Sequence, residues 1–182
     1  MSLVWSPDYA PVDGDFADVS LLLKGEGTNG STTILDSSSN NLSVTANGDA
    51  QISTAVNTPF GTGDGVLAFD GSGDNLKVPA SSLFAYGTGD FTWEWWSYQA
   101  NFNGYILDHG FNEGSIAGQN TYYNPSTGVS SVLYTAGFTG VTTNTWHYFT
   151  VVRKSGVTTL YLDGVATASD ADPYNYTGRP LT

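Results

Sequence analysis

One short segment of the sequence combines aromatic rings with a carboxylate at alternating positions. Residues 91–98 read Phe-Thr-Trp-Glu-Trp-Trp-Ser-Tyr, and successive side chains of an extended strand point to opposite faces. The odd-numbered aromatic residues, including Trp93 and Trp95, therefore share one face, which we predict to be core. The opposite face carries the amphipathic set Glu94, Trp96 and Tyr98.

This amphipathic face has the chemistry that sugar recognition requires. A flat aromatic ring can cover the C–H surface of a sugar, and a few fixed polar groups can bind its hydroxyls. His109, which precedes a glycine, is expected to be exposed and to contribute, and two tyrosines of the segment 120–125 are expected at the rim. Packing within the sheet stays open as the alternative role. The predicted ligand-binding residues are Glu94, Trp96, Tyr98, Tyr105, His109, Tyr122 and Tyr123.

Oxygen-rich turns offer a second kind of chemistry, which is calcium binding. Ca²⁺ takes six to eight oxygen ligands from carboxylates, amides and carbonyls, and aspartates crowd the turns of this sequence. The chain contains no cysteine, so a thiolate metal site is excluded. Each candidate could equally be an ordinary turn residue. The candidate calcium ligands are Asp36 with Asn40, Asp74 with Asn75, and Asp163.

The charge of the chain excludes several classes of partner. Five Lys and Arg stand against 17 Asp and Glu in 182 residues, for a formal net charge of −12. So acidic a chain repels phosphate backbones and anionic membrane surfaces, and we predict that it binds no nucleic acid. No run approaches the roughly 20 apolar residues that a membrane-spanning helix needs, so we also predict no membrane insertion.

The elements that must position these residues are strands. Short runs of β-branched and aromatic residues recur between clusters of Gly, Asn and Asp, which is typical of an all-β antiparallel sandwich or barrel. In the clearest hairpin, Ser155-Gly156 joins two alternating runs, and its register predicts a core face with Phe149, Val151, Leu160 and Leu162. The predicted strands are 18–24, 32–36, 42–46, 50–54, 65–70, 75–79, 90–99, 104–109, 115–123, 129–135, 145–154, 157–163 and 164–168.

Four stretches together resemble the laminin-G-like jelly roll of the concanavalin A-like lectin/glucanase superfamily. They are, in chain order, Val19-Ser-Leu-Leu-Leu with Asp36-Ser-Ser-Ser-Asn; Phe60-Gly with residues 67–79; Gly89-Asp-Phe-Thr-Trp-Glu-Trp-Trp; and Thr145-Trp-His with Leu160-Tyr-Leu-Asp-Gly-Val. The segment 19–34 is especially similar to versions in marine phage tail proteins and environmental bacterial surface proteins. The resemblance implies a β-sandwich that binds ligands on a concave face or at its loop rim, in some cases with calcium, on a virion or outside the cell.

The resemblance leaves three function classes. We expect a non-catalytic module that binds a glycan or a surface receptor in cell adhesion or phage attachment. The first alternative is a structural or oligomerisation domain of a tail or adhesin protein. The second is a glycoside hydrolase, which needs two carboxylates flanking the scissile bond. The matching strand offers Glu94 alone, with Asp108 of the next strand as the alternative partner, and neither His109 nor His147 stands in a catalytic motif. We therefore predict that the protein is not an enzyme.

The domain organisation follows from the same pattern. Residues 1–16 are expected to form an irregular lead-in, and residues 17–182 the sandwich. After 164–168 only a Pro-, Asn- and Gly-containing tail remains, so the family's closing strand is expected to be missing. The strand 18–24 would then have an open edge, which we expect the lead-in near residues 3–12 to cover, or a neighbouring molecule in a homo-oligomer or parent protein.

Overall fold

A computed structural model of the chain describes residues 14–60, 65–101, 104–109, 119–124, 129–132 and 136–182. Two single-turn 3-10 helices occur within these ranges, at Phe16–Asp18 and Ser82–Phe84. No helix in the same ranges is long and apolar enough to cross a membrane. The strands are β1 (Thr45–Asn47), β2 (Gln51–Ser53), β3 (Val66–Ala68), β4 (Asn75–Lys77), β5 (Phe91–Tyr98), β6 (Gly104–His109), β7 (Gln119–Asn124), β8 (Val129–Val132), β9 (Ala136–Phe138), β10 (Trp146–Lys154), β11 (Val157–Leu162) and β12 (Val165–Ala171).

The first four-stranded sheet has the order β12-β11-β10-β5 and provides the main core face. At its centre, Val151 of β10 pairs with Trp93 on one side and Leu160 on the other. Burial alternates along β10, as expected of a strand with one face on a core. Val151 and Leu160 are completely buried, which confirms the predicted register. The same cluster includes the predicted core residues Trp93, Phe149 and Leu162, with Trp95 packed against it.

The second four-stranded sheet, β6-β7-β8-β9, packs against the first through its last strand. Phe138 of β9 is fully buried and meets two rings of the first sheet nearly edge-on. Its ring centroid lies 6.2 Å from that of Trp95 and 5.0 Å from that of Phe149. Two antiparallel sheets thus enclose one apolar layer, so the fold is an antiparallel β-sandwich, as the sequence predicts.

Two short antiparallel pairs, β1 with β4 and β2 with β3, extend this framework. Directly after β4, Val78 and Leu181 exchange backbone hydrogen bonds of 2.9 and 3.1 Å. Leu181 also forms a bridge with His109 at the end of β6. Leu181, Val78 and Phe84 form a second buried cluster. The segment around residue 181 therefore connects β4 to the second sheet.

The first two predicted strands, 18–24 and 32–36, are not strands in the structure. Among the described residues they meet at one isolated bridge, between Leu23 and Asp36. The Leu22 N–H donates to the Asp36 carboxylate at 3.0 Å. A side chain that takes a backbone donor in this way competes with ladder formation, which explains why the apolar pattern of 18–24 does not produce a strand.

The two ends of the predicted sandwich differ in how much of them the structure describes. Most of the predicted lead-in, residues 1–13, lies outside the described residues. The segment after β12 is irregular apart from bridges of Tyr176 with Gly87 and of Leu181 with Val78 and His109. No described residue after 170 forms a bridge with 18–24. The absence of the family's closing strand stays a prediction, and so does the covering of the segment 18–24 by the lead-in or by a neighbouring molecule.

Candidate functional site

The outward face of the first sheet carries an exposed group of aromatic residues. β5 and β10 pair antiparallel, with Tyr98 opposite Trp146 and Trp96 opposite Tyr148. These four side chains alternate with the core residues of the two strands, so they project away from the second sheet. We name Trp96, Tyr98, Trp146 and Tyr148 the aromatic cluster. Trp96 is 40% exposed and Tyr98 is 44% exposed.

The rings of the aromatic cluster pack against each other across the two strands. The centroids of Trp96 and Tyr148 are 5.2 Å apart with 28° between the ring planes. Those of Tyr98 and Trp146 are 5.7 Å apart with 54° between the planes. Such cross-strand pairs contribute roughly 0.2–1 kcal/mol each and restrict ring rotation. The cluster is therefore a preorganised surface.

The loop after β2 borders this surface and enlarges it. The indole Nε1 of Trp146 donates a hydrogen bond of 2.8 Å to the carbonyl of Asn57. The Phe60 ring meets Trp96 edge-to-face at 5.5 Å between centroids and is itself 68% exposed. Phe60, Trp146 and Tyr148 are not among the ligand-binding residues predicted from the sequence. The alternation of residues along β10 would have indicated that Trp146 and Tyr148 lie on the outward face.

One carboxylate lies beside the aromatic cluster. Glu94 shares the outward face of β5, and its Oε2 accepts a hydrogen bond of 2.6 Å from the Tyr148 hydroxyl. Burial and this hydrogen bond raise the pKa of Tyr148, because both favour the neutral phenol beside a carboxylate. Among the described residues Glu94 Oε1 has no hydrogen-bond partner. This oxygen is therefore available to a ligand.

Three predicted ligand-binding residues lie on the other sheet. Tyr105 of β6 pairs with Tyr122 of β7, and Tyr123 follows in β7, within a strand and not a rim loop. The side chains of all three lie outside the described residues. Their role in ligand binding stays a prediction, and their strands do not carry the aromatic cluster.

The prediction of an exposed His109 is wrong. This side chain is only 1% exposed, its Nε2 lies 3.2 Å from the carbonyl oxygen of Phe84, and its ring stacks near Tyr86 at 5.9 Å. The bridge to Leu181 covers the end of β6. His109 is therefore an interior residue between the two buried clusters.

The structure gives the first predicted calcium pair another role, which is to organise a loop. The Asp36 carboxylate accepts hydrogen bonds from the N–H groups of Leu22, Ser38 and Leu42, and from the Ser38 hydroxyl. Although desolvation opposes it, these bonds lower the pKa of Asp36. The side-chain amide of Asn40 donates to two backbone carbonyls, at 2.9 and 3.2 Å. Protein donors thus occupy the Asp36 carboxylate, and calcium binding at this pair stays a prediction.

The second predicted calcium residue, Asp74, meets two aspartates that sequence analysis missed. Ligand atoms of Asp49, Asp70 and Asp74 all lie within 4.8 Å of one another. A side-chain hydrogen bond to Asp74 and the two neighbouring charges raise the pKa of Asp49. Hydrogen bonds from backbone N–H groups, that of Asp70 first, lower the pKa of Asp74. Asn75 is not part of this group, because its Oδ1 accepts a bond of 2.8 Å from Asn47.

The close approach of the two loops depends on a glycine. Gly48 has φ +70°, and a Cβ at this position would lie 2.2 Å from an oxygen of Asp74. The Asp49 N–H donates to the same carboxylate at 2.8 Å. The signals for this arrangement were the sequences Asn47-Gly-Asp and Asp70-Gly-Ser-Gly-Asp, but their convergence depends on the pairing of β1 with β4.

The last predicted calcium residue, Asp163, is engaged by a histidine. Its Oδ2 lies 2.7 Å from His147 Nδ1, and its Oδ1 accepts the Tyr148 N–H at 2.9 Å. Although desolvation opposes it, these contacts lower the pKa of Asp163. On the far side of the ring, Nε2 accepts the Thr142 N–H at 3.2 Å and lies 2.9 Å from the Thr142 hydroxyl. The hydroxyl of Thr142, the imidazole of His147 and the carboxylate of Asp163 thus follow one another as in a hydroxyl–base–acid triad. The imidazole Nε2, however, already accepts the Thr142 N–H, so these contacts fix the turn before β10 to the residue after β11.

Comparison with known proteins does not assign this chain to a family. No family model matches it, and no curated protein matches it. A crystal structure of a tryptophan-to-alanine mutant of HCR/D is similar at 18% identity, over 88% of this chain and 42% of that one, with a TM-score of 0.39. The chain spans less than half of that structure's length. A TM-score this low does not establish a common fold, so the sandwich assignment rests on strand pairing and packing.

Proposed function

We propose that the protein is a non-catalytic carbohydrate-binding module and that its binding surface is the outward face of β5 and β10. The supporting observation is the exposure of Trp96 and Tyr98 beside the hydrogen-bonded pair of Glu94 and Tyr148. We further infer that the chain belongs to the laminin-G-like, concanavalin A-like lectin class that its sequence resembles, and that it acts outside the cell or on a virion surface.

A sugar fits the chemistry of this face better than a purely apolar partner does. The aromatic rings offer surface to the C–H groups of a sugar, and the Glu94 carboxylate and Tyr148 hydroxyl offer hydrogen bonds to its hydroxyls. Thr150, opposite Glu94, adds a further hydroxyl to the same outward row. Because the rings are held by cross-strand contacts, little conformational entropy is lost on binding.

Glycoside hydrolysis is disfavoured by the number of carboxylates. Retaining and inverting glycosidases place two carboxyl groups about 5–10 Å apart across the bond. Among the outward-facing positions of β5, β10 and β11, all within the described ranges, Glu94 is the one acidic residue. Binding a sugar, in contrast, needs only one hydrogen-bonding carboxylate and no second carboxylate.

Glycan-array binding with matched variants tests the proposal. We expect wild-type protein to bind a defined set of glycans and Trp96→Ala to lose at least tenfold in affinity. Phe69→Ala is the control, since Phe69 is an exposed aromatic residue (51%) that follows β3, a strand of a separate two-stranded sheet. Circular dichroism checks that both variants fold.

Two results would contradict the proposal. If wild-type protein bound no glycan but captured a defined protein receptor through Trp96, the face would be a receptor site. If Trp96→Ala changed only the oligomeric state measured by light scattering, the face would serve assembly, as in the structural-domain alternative.

A further inference from the structure

Cations are scarce in this protein, and none lies at the aromatic end of the binding face. The chain has five basic residues against 17 acidic ones. Those on β10 are Arg153, which is 2% exposed, and Lys154, which ends the strand. At ~3.3 Å per residue, Lys154 lies roughly 26 Å along the strand from Trp146 and roughly 13 Å from Thr150, which is opposite Glu94. The five basic residues are Lys24, Lys77, Arg153, Lys154 and Arg179.

The remaining cations belong to other parts of the fold. Lys77 ends β4, outside the first sheet. Lys24 lies 3.8 Å from Glu26, in the segment before β1. Arg179 lies in the segment after β12 and donates to the Thr177 hydroxyl at 3.1 Å. Among the described residues, no Lys or Arg side chain contacts Glu94, Trp96 or Tyr98.

The groups that do line the face attract positive charge. Glu94 holds one carboxylate oxygen on Tyr148 and leaves the other without a partner among the described residues. The faces of Trp and Tyr rings also attract cations, at exposed sites as well as buried ones. Residues two apart on a strand face are about 7 Å apart, so an ammonium group beside Glu94 can contact the Trp96 ring as well. The Glu94 carboxylate and the ring faces both repel an anion.

Building on the proposed function, we propose that this face prefers glycans with free amino groups, such as glucosamine oligomers, to neutral glycans, and that it rejects sialylated or sulfated ones. The ammonium group binds at Glu94 between the carboxylate and the aromatic rings. The overall charge of −12 acts in the same direction over longer distances at low ionic strength.

Calorimetry with matched glycan pairs tests this selectivity. Glucosamine oligomers are compared with N-acetylglucosamine oligomers of the same length at slightly acid pH, and lactose is compared with sialyllactose. We expect about fivefold tighter binding of the amine, from one exposed ion pair and one cation–π contact, and a smaller difference at high salt. Sialyllactose should bind at least fivefold more weakly than lactose. Glu94→Gln, which keeps an acceptor for Tyr148, should abolish the preference for the glucosamine oligomer over the N-acetylglucosamine oligomer, and a preference that persists in this variant overturns the assignment of the ammonium group to Glu94.

The outcomes separate this inference from the proposed function. Equal binding within both pairs, or tighter binding of sialyllactose, overturns the charge selectivity alone. Absence of all glycan binding overturns both. Tryptophan fluorescence supplies a readout without any glycan. Relative to the quenching of free N-acetyltryptophanamide by each ion, the emission lost in Trp96→Phe should be quenched more efficiently by caesium than by iodide. A higher relative efficiency for iodide would show that the face attracts anions and would overturn the inference.

Discussion

Arg153 and Asp172 form an ion pair inside the protein, with 3.1 Å between Nε and Oδ2 and with both side chains almost fully buried. The contact lacks a well-aligned hydrogen bond at Nε, but the other guanidinium nitrogens donate to the carbonyls of Thr88, Gly89 and Asp172. The Asp172 carboxylate also accepts the hydroxyl groups of Thr158 and Tyr176, at 2.7 and 2.8 Å. This network ties the segment after β12 to the first sheet.

Replacing Asp172 should therefore destabilise the protein strongly. We expect Asp172→Asn to lower the free energy of unfolding by about 3–5 kcal/mol, because it leaves the Arg153 charge buried without its counterion. Urea denaturation measures this, with Asp18→Asn, an exposed aspartate, as the control expected within ~0.5 kcal/mol of wild type. The double variant Arg153→Met with Asp172→Leu should regain part of the loss. Identical midpoints for Asp172→Asn and wild type would show that the pair does not contribute.

Two adjacent tryptophans should differ in their effect on stability. Trp95 stacks parallel on Phe149 at 5.3 Å and packs against the core, so Trp95→Ala should cost roughly 3–5 kcal/mol. Trp96 points outward, and Trp96→Ala should cost about 1 kcal/mol or less, from its lost ring contacts. Thermal or chemical denaturation of the two variants compares them directly. A larger loss for Trp96 would mean that the register of β5 is inverted.

The loop around Asp36 should respond to acid. Its folded pKa lies below the ordinary value of 3.8, so its contribution is fully present above that value and is lost as pH falls through the lower folded pKa. We expect Asp36→Asn to reduce the free energy of unfolding by about 1.5–3 kcal/mol at neutral pH, since it weakens hydrogen bonds to a charged acceptor. Denaturation series at several pH values should show the difference from wild type shrinking below pH 3.8. A difference that does not depend on pH would assign the effect to packing.

Calcium binding, which the sequence predicts at the loop rim, can be tested at the group of Asp49, Asp70 and Asp74. If calcium binds there, millimolar calcium should raise the melting temperature and magnesium should raise it less; a concentration tenfold above Kd adds about 1.4 kcal/mol. Asp70→Asn should remove the response, and Asp18→Asn should keep it. An unchanged melting temperature in wild-type protein would exclude the site.

The central strands were predictable because their signals are local. β5, β10 and β11 alternate between more buried and more exposed positions, and the turn between β10 and β11 has a glycine with φ +75° at Gly156. One face of each strand must then be core, and a shift by one residue would expose all of it. The outward positions of Trp96 and Tyr98 follow from the same register.

The parts that were not predictable depend on contacts between distant segments. Nothing beside His109 in the sequence indicates that Leu181 covers it, and nothing beside Phe60 indicates its contact with Trp96. Similarly, Asp36 follows an apolar run, but its carboxylate binds the Leu22 N–H and removes a donor from the expected strand. Single-sequence patterns describe a strand and its faces, whereas these contacts are decided by which loops meet.

The pairing of Leu181 with both Val78 and His109 also has a kinetic consequence. The contact with Val78 closes a loop of roughly a hundred residues, and such long-range pairings slow folding because chain entropy is lost before the contact forms. Until the segment 172–181 docks, the buried cluster of Val78 and Phe84 lacks its cover. We therefore expect docking of this segment to be a late step in folding, and the species that precedes it to be the one most prone to aggregate.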